Sequence, residues 1–268
     1  MFSIRPTDSE YELVQIAAAH DKLPLKDENW SERWCTLSKK FEGCFEKIWN
    51  FELRADDVFL VGSPKSGTTW MQEILWLLTN QLNFQRALAE DLKQRSILID
   101  LSGLPTEKLV DGVEICNNQE SPRVIKSHLP VSLLPKQLWN KKSKTIYITR
   151  NVKDVVVSSY HFYHGLGLYN VTMDEYVQSF IADSVYYAPY WQHIIDFWKL
   201  RHEPHIFFVT YEELKRDLAG VLQRLCDFLE RPQLNDLEME RILKHLSFER
   251  MKENQLGHIT NFYKKAFP

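Results

Sequence analysis

The stretch Val58–Thr69 does most to limit what this chain can fold into. Val58-Phe59-Leu60-Val61 is a short apolar run, and such a run bounded by turn residues reads as a strand buried on both faces. It enters Gly62-Ser63-Pro64-Lys65-Ser66-Gly67-Thr68-Thr69, a turn-rich loop. Trp70, Ile74, Leu77, Leu78 and Leu82 then follow roughly at helical spacing. Strand, glycine loop and helix in this order open an α/β nucleotide site with a P-loop-like turn. Arg123–Ser127, Thr145–Thr149 and His205–Thr210 read as further buried strands. Helical stripes lie between and after them: Trp191, Ile194, Ile195 and Trp198; Leu218, Val221, Leu222, Leu225 and Leu229; Met239, Ile242, Leu243 and Leu246. Thr172 with Glu175 predicts a capping box that opens another helix. Strands alternating with helices predict an α/β fold with a central, mainly parallel sheet flanked by helices. Phe84–Ser121 reads as an irregular excursion over the sheet. Residues 1–55 are aromatic, charged and poorly periodic, with Trp30, Trp34, Phe41, Phe45 and Trp49 expected mostly to pack. With no repeats and no low-complexity linker, residues 1–268 are read as one domain.

Composition narrows the partners. The 268 residues include 33 Lys and Arg against 36 Asp and Glu, a net charge of -3. Generic nucleic-acid or anionic-membrane binding calls for a basic surplus, which is lacking here. The four cysteines, Cys35, Cys44, Cys116 and Cys226, show no paired CxxC spacing, so neither a disulfide framework nor a zinc ribbon is expected. No segment approaches the ~18 apolar residues of a membrane span, and the first thirty residues lack a signal-peptide pattern. The expectation is a soluble, cytoplasmic protein.

Three places carry residues suited to chemistry. Gly62–Thr69 has the length of a phosphate loop, but its lysine, Lys65, lies inside the loop and Thr68 occupies the usual lysine position after the second glycine. Backbone N–H groups and the Ser66, Thr68 and Thr69 hydroxyls can still cradle an anion at the positive end of the following helix. In Val124-Ile125-Lys126-Ser127-His128, strand alternation puts Lys126 and His128 on one face at a strand end, where parallel-sheet sites open. A histidine beside a cation is disfavoured in its protonated form and is kept a free base. In Thr149-Arg150-Asn151-Val152-Lys153-Asp154, Arg150 ends another strand and Asn151 caps a helix on which Ser158 and Phe162 share its face. A guanidinium with a nearby hydroxyl suits a phosphate. Taken singly, each place is equally compatible with an ordinary turn, a hydrogen-bonded histidine or a salt-bridged arginine.

Together, PKSGTTW (64–70), KSHLP (126–130), RNVKDVVVSSYHFYH (150–164), VTYEEL (209–214) and SFERMKEN (247–254) resemble the cytosolic sulfotransferase family. The resemblance implies transfer of a sulfonyl group from 3'-phosphoadenosine 5'-phosphosulfate (PAPS) to the hydroxyl or amine of a small apolar phenol, alcohol or steroid, releasing adenosine 3',5'-bisphosphate. It implies His128 as the base, with Lys65 and Lys126 stabilising the transfer and Lys65 on the leaving phosphate. Lys65, Ser66, Gly67, Thr68 and Thr69 then cradle the 5'-phosphate, while Arg150 and Ser158 hold the 3'-phosphate. Trp70 and Phe248 flank adenine, Tyr211 touches the base, and Phe162 walls an acceptor site that also holds Lys126 and His128. No metal is called for, and a monomer or homodimer is expected.

Two features depart from that pattern. The family's basic, glycine-containing C-terminal segment is not found up to Pro268, which is expected to reflect either a further tail that carries it or a shortened form without that clamp. Leu246 stands where a threonine often precedes the SF pair. Two rivals stay open: a catalytically weak protein that binds bisphosphate nucleotide or a hydrophobic ligand, and a nucleotide kinase, which the missing lysine after Gly67 disfavours. The pairs His161/His164 and His202/His205 have metal-like spacing but no evident partner ligands. Lys141, Lys142 and Lys144 read as a solvated turn.

Overall fold

β4 (Val58–Val61) lies at the centre of a five-stranded sheet because both of its faces are apolar. Phe59 and Val61 point into one core and Val58 and Leu60 into the other, all four buried. The computed structural model describes residues 2–7, 11–18, 28–105 and 110–253. The C-terminal stretch from Lys264 to Pro268, and Asn254 at the end of SFERMKEN, lie outside the described residues.

Among the described residues there are eight strands: β1 Phe2–Pro6, β2 Leu13–Ala18, β3 Cys35–Ser38, β4, β5 Ile97–Leu98, β6 Val124–Ser127, β7 Thr145–Thr149 and β8 Ile206–Thr210. The main sheet has the order β5-β6-β4-β7-β8 and is parallel throughout, as the alternation of strands and helices predicts. The chain leaves β4 for one side of the sheet, then crosses to β7 and β8 on the other, so the crevice lies at the C-terminal ends beside β4. One face is covered by helices Thr68–Thr79, Leu218–Phe228 and Asp236–His245, whose apolar stripes are those read from the sequence. Leu82 falls beyond the end of its helix.

Three regions differ from the sequence reading. The described residues up to 55 are more regular than their composition suggests. β1, β2 and β3 form an antiparallel sheet, and Phe41–Trp49 is a helix that buries Phe41, Phe45, Ile48 and Trp49. The free edge of β3 pairs with the Tyr187–Ala188 segment: Thr36 N–H donates to the Ala188 carbonyl (2.8 Å), and Tyr187 N–H to the Thr36 carbonyl (2.7 Å). The excursion 84–121 supplies a fifth strand, β5, too short at two residues to register as a run. In the Tyr190–Lys199 helix the predicted stripe is not the buried face. Trp191 and Trp198 are exposed over at least half their surface, while Tyr190, His193, Asp196 and Phe197 are buried. Polar His193 and Asp196 occupy core positions because partners satisfy them, which hydropathy spacing does not detect.

The register of β4 against β6 is pinned at its start by a buried ion pair. Arg123 donates from Nε and a terminal nitrogen to both oxygens of Asp57 (2.7 and 2.5 Å), and its remaining donors reach the Cys116 and Glu52 carbonyls. Breaking such a pair leaves a charge stranded in the interior, at a cost of about 3–5 kcal/mol. Arg123→Met is therefore expected to destabilise the fold by about 3–5 kcal/mol, read from the denaturant midpoint of the full chain.

Candidate functional site

Lys65 to Trp70, Lys126, His128, Arg150, Phe162 and Tyr211 gather at the C-terminal end of the parallel sheet. The loop after β4 turns at Lys65 (φ 67°) and Gly67 (φ 93°). A Cβ at Gly67 would lie 2.5 Å from the Tyr211 ring, so glycine is required twice, for backbone angle and for space. Gly67 is also the N-cap of the Thr68–Thr79 helix and supplies no side-chain hydrogen bond. Asn151, Thr172, Thr210, Asp217 and Asn235 do cap the helices they precede. The helix after the loop thus presents bare N–H groups, and the buried Ser66 Oγ beside them has no hydrogen-bond partner. Uncapped amides at a positive helix end with an unpartnered hydroxyl fit a phosphate or sulfate.

His128 lies one residue beyond β6 and is buried. Its Nδ1 is 2.6 Å from the Gly62 carbonyl oxygen, which can only accept, so Nδ1 carries the proton. Nε2 is the unprotonated nitrogen, and no hydrogen bond engages it among the described residues. Burial pushes the imidazole pKa well below its ordinary value, with the Lys126 charge adding to the effect, so the ring is a neutral base. Lys65 and Lys126 are lowered to about 8, chiefly by desolvation. Arg150 adds to the depression of Lys65; Lys65 and Lys93 act in the same direction on Lys126, against Asp100. A bound anion would favour the charged form of both lysines and offset part of this depression.

Phe162 sits under Lys65, with the ammonium 4.2 Å from its ring centroid. Arg150 follows β7, and its guanidinium lies 4.6 Å over Tyr211 and 3.4 Å from the Lys65 carbonyl. Its Nε is buried without a hydrogen-bond partner. Ser158 is partly buried one turn beyond Asp154, as the helical spacing implies. Trp70 stands edge-on to Tyr211 at 5.8 Å and donates from Nε1 to the Leu246 carbonyl (3.0 Å). The residue at the threonine-to-leucine departure therefore still anchors this wall through its backbone. Phe248 is 73% exposed and meets no other ring among the described residues.

Four residues of the site escaped the sequence reading. Tyr190 donates its hydroxyl to the Arg150 carbonyl, and Tyr187 sets its ring edge-on to His128 at 5.5 Å. Asp100 and His193 bond the His128 peptide. Spacing 190, 193, 197 was the available signal for the buried face of that helix. Asp100 carried none. Among the described residues no group of three or more His, Cys, Asp or Glu is gathered for a metal.

The profile of the sulfotransferase domain matches residues 55–265. The chain belongs to the sulfotransferase family. Sulfotransferase 1B1 of Mus musculus is 36% identical over 219 residues, covering 81% of this chain and 72% of that protein. Luciferin sulfotransferase of Photinus pyralis is 34% identical, over 78% of this chain and 60% of its own. A mouse sulfotransferase solved with PAP is 26% identical, with a TM-score of 0.67 over 82% of this chain and 74% of that one. Retinol dehydratase, solved with retinol and PAP, shares the fold with a TM-score of 0.84 over 99% of this chain and 86% of that one, at 24% identity. No helix among the described residues of this sulfotransferase is long and apolar enough to cross a membrane.

Gly67→Ala is expected to cost about 1–2 kcal/mol from the left-handed backbone alone and to displace Tyr211 from Trp70. Denaturant midpoint and tryptophan fluorescence read the two effects. Gly43→Ala, where nothing lies within 4 Å of the new methyl, is the control and leaves both unchanged or slightly improved.

Proposed function

We propose that this sulfotransferase moves the sulfonyl group of PAPS onto the hydroxyl or amine of a small apolar acceptor, a phenol, alcohol or steroid. The observation that carries the reading is the tautomer of His128: Nδ1–H is committed to the Gly62 carbonyl, leaving Nε2 as a free base beside two lysines and an uncapped phosphate loop. Membership of the family and the PAP held by a structural relative support the donor.

The step balances as a displacement. Nε2 of His128 takes the acceptor's proton while the acceptor oxygen forms a bond to sulfur. The bond from sulfur to the bridging phosphate oxygen breaks, and its electron pair leaves with adenosine 3',5'-bisphosphate. Lys65 faces the charge that grows on the departing phosphate, and Lys126 faces the sulfonyl oxygens. Ser66, Gly67, Thr68 and Thr69 hold the 5'-phosphate through the bare helix amides. Arg150 and Ser158 take the 3'-phosphate, with Trp70, Tyr211 and the exposed Phe248 toward the base. Phe162 orients Lys65 and borders the acceptor. Alignment and electrostatics supply most of the acceleration, as in phosphoryl transfer; the general base adds about 10²–10⁴-fold.

His128→Ala is expected to lower kcat by about 10²–10⁴-fold while adenosine 3',5'-bisphosphate still binds, measured by labelled-donor turnover with a phenol and by calorimetry. Unchanged turnover would remove the assigned base. The pH dependence of kcat/KM follows from the free-enzyme pKa values. His128, depressed below 6.5, stays neutral from mildly acidic pH upward, so the acid limb lies below 6.5. Lys65 and Lys126 lose their charge above about pH 8, so the alkaline limb falls near 8. In kcat, measured with the anionic donor bound, that limb moves to higher pH, because a bound anion favours the charged lysines.

A further inference from the structure

His128 sits where a sheet can no longer hold it. The β4–β6 ladder ends at Val61 opposite Ser127, and the β5–β6 ladder ends at Leu98 opposite Lys126. The N–H and C=O of His128 are therefore buried without strand partners, and such groups must be satisfied by other means. Two side chains from distant segments take over. The carboxylate of Asp100 accepts from His128 N–H at 3.2 Å through one oxygen and 3.4 Å through the other. Nε2 of His193 lies 3.2 Å from the His128 carbonyl oxygen. A carbonyl accepts, so His193 Nε2 carries its proton; Nδ1 is then the acceptor, and the Tyr147 hydroxyl donates to it at 2.8 Å.

Each arm is itself fixed. Tyr147 stacks on Phe197 at 4.1 Å, and the buried His193 ring lies beside that pair, 5.5 Å from Tyr147 and 5.9 Å from Phe197. Tyr187, at φ 66° and bonded to β3 through its backbone, donates its hydroxyl to Asp100 at 2.6 Å. A bulky residue in the left-handed region is held there only when its surroundings enforce it, and such positions cluster at functional sites.

We propose that His193 and Asp100 are positioning residues that clamp the His128 peptide from both sides, so that its ring keeps Nδ1–H on Gly62 and Nε2 as the base. This rests on His128 acting as the base. Neither residue touches the reacting atoms; both act through His128. Burial lowers the His193 pKa to about 4, which keeps its N–H donation constant across neutral pH. The charged or titratable groups around the His128 ring and peptide are Lys126 from its own strand, Lys65 from the glycine loop, Asp100, Tyr187 and His193.

The test compares His193→Gln, whose amide nitrogen reaches the place of the imidazole Nε2, with His193→Leu and His193→Asn, which leave the His128 carbonyl without a donor. Ring-nitrogen NMR of the full chain reads the His128 tautomer without any substrate. Steady-state kinetics with labelled PAPS and a phenol read its consequence. The clamp predicts a protected Nδ1–H in the natural protein and in His193→Gln, with kcat within about threefold of each other. It predicts loss of that resonance in the Leu and Asn variants, with kcat down about 10–100-fold, the scale of a roughly 1 Å misplacement, and donor KM unchanged. The acid limb of kcat/KM then rises toward 6.5 as the ring regains water. A His128 spectrum and kcat unaltered in His193→Asn, or a Gln variant as impaired as the Asn variant, would overturn the clamp. If no variant and not even the natural protein transfers a sulfonyl group, the function fails while the spectra alone still decide the clamp. Asp100→Asn, which keeps an acceptor oxygen, and Asp100→Leu, which does not, repeat the comparison from the other side.

Discussion

The hydrogen bond from His128 Nδ1–H to the Gly62 carbonyl joins the two halves of the site. It spans from the residue after β6 to the residue after β4, so the neighbouring parallel strands are tied where their ladder has run out. Geometry and chemistry follow from one contact. The carbonyl fixes which ring nitrogen is basic, and the loop that begins at Gly62 goes on to place Lys65 and the bare helix amides. Gly62 has little room to vary: a Cβ there would lie 2.4 Å from the Ile148 carbonyl oxygen on β7. The central strand thus brings its neighbours close enough for three loops to converge.

Electrostatically, the site holds like charges together. Arg150 lowers Lys65 and Lys65 lowers Lys126, while Arg150 itself has Asp154 3.8 Å from its Nε. Asp100 opposes the depression of Lys126, but its carboxylate is engaged by the His128 peptide and Tyr187. A dianionic group entering the loop would relieve that repulsion.

Much of this was legible in the sequence where local pattern and chemistry coincide. Val58–Val61 and Thr145–Thr149 are buried on both faces, so their apolar runs announce a parallel sheet. The glycine loop, Lys126, His128 and Arg150 all stand directly at strand ends, where alternation and position suffice to group them. Asp100 and His193 were not legible because their roles come from tertiary contacts 28 and 65 residues away along the chain. His193 was further hidden by exposed Trp191 and Trp198, which drew the apparent apolar face to the solvent side of their helix. The N-terminal sheet went unseen because β1 is mostly exposed and shows no buried alternation.

The pairing of β3 with Tyr187 and Ala188 gives that N-terminal sheet a reach beyond its own packing. Tyr187 is gripped by Thr36 at its backbone and grips Asp100 with its hydroxyl, so a mechanical path of four residues runs from the first strands to the imidazole. Exchanging the opening forty residues for those of a relative would accordingly alter more than surface shape. It would retune the seat of the ring at the heart of the crevice, making the segment before the matched sulfotransferase domain an adjusting screw for the chemistry inside it.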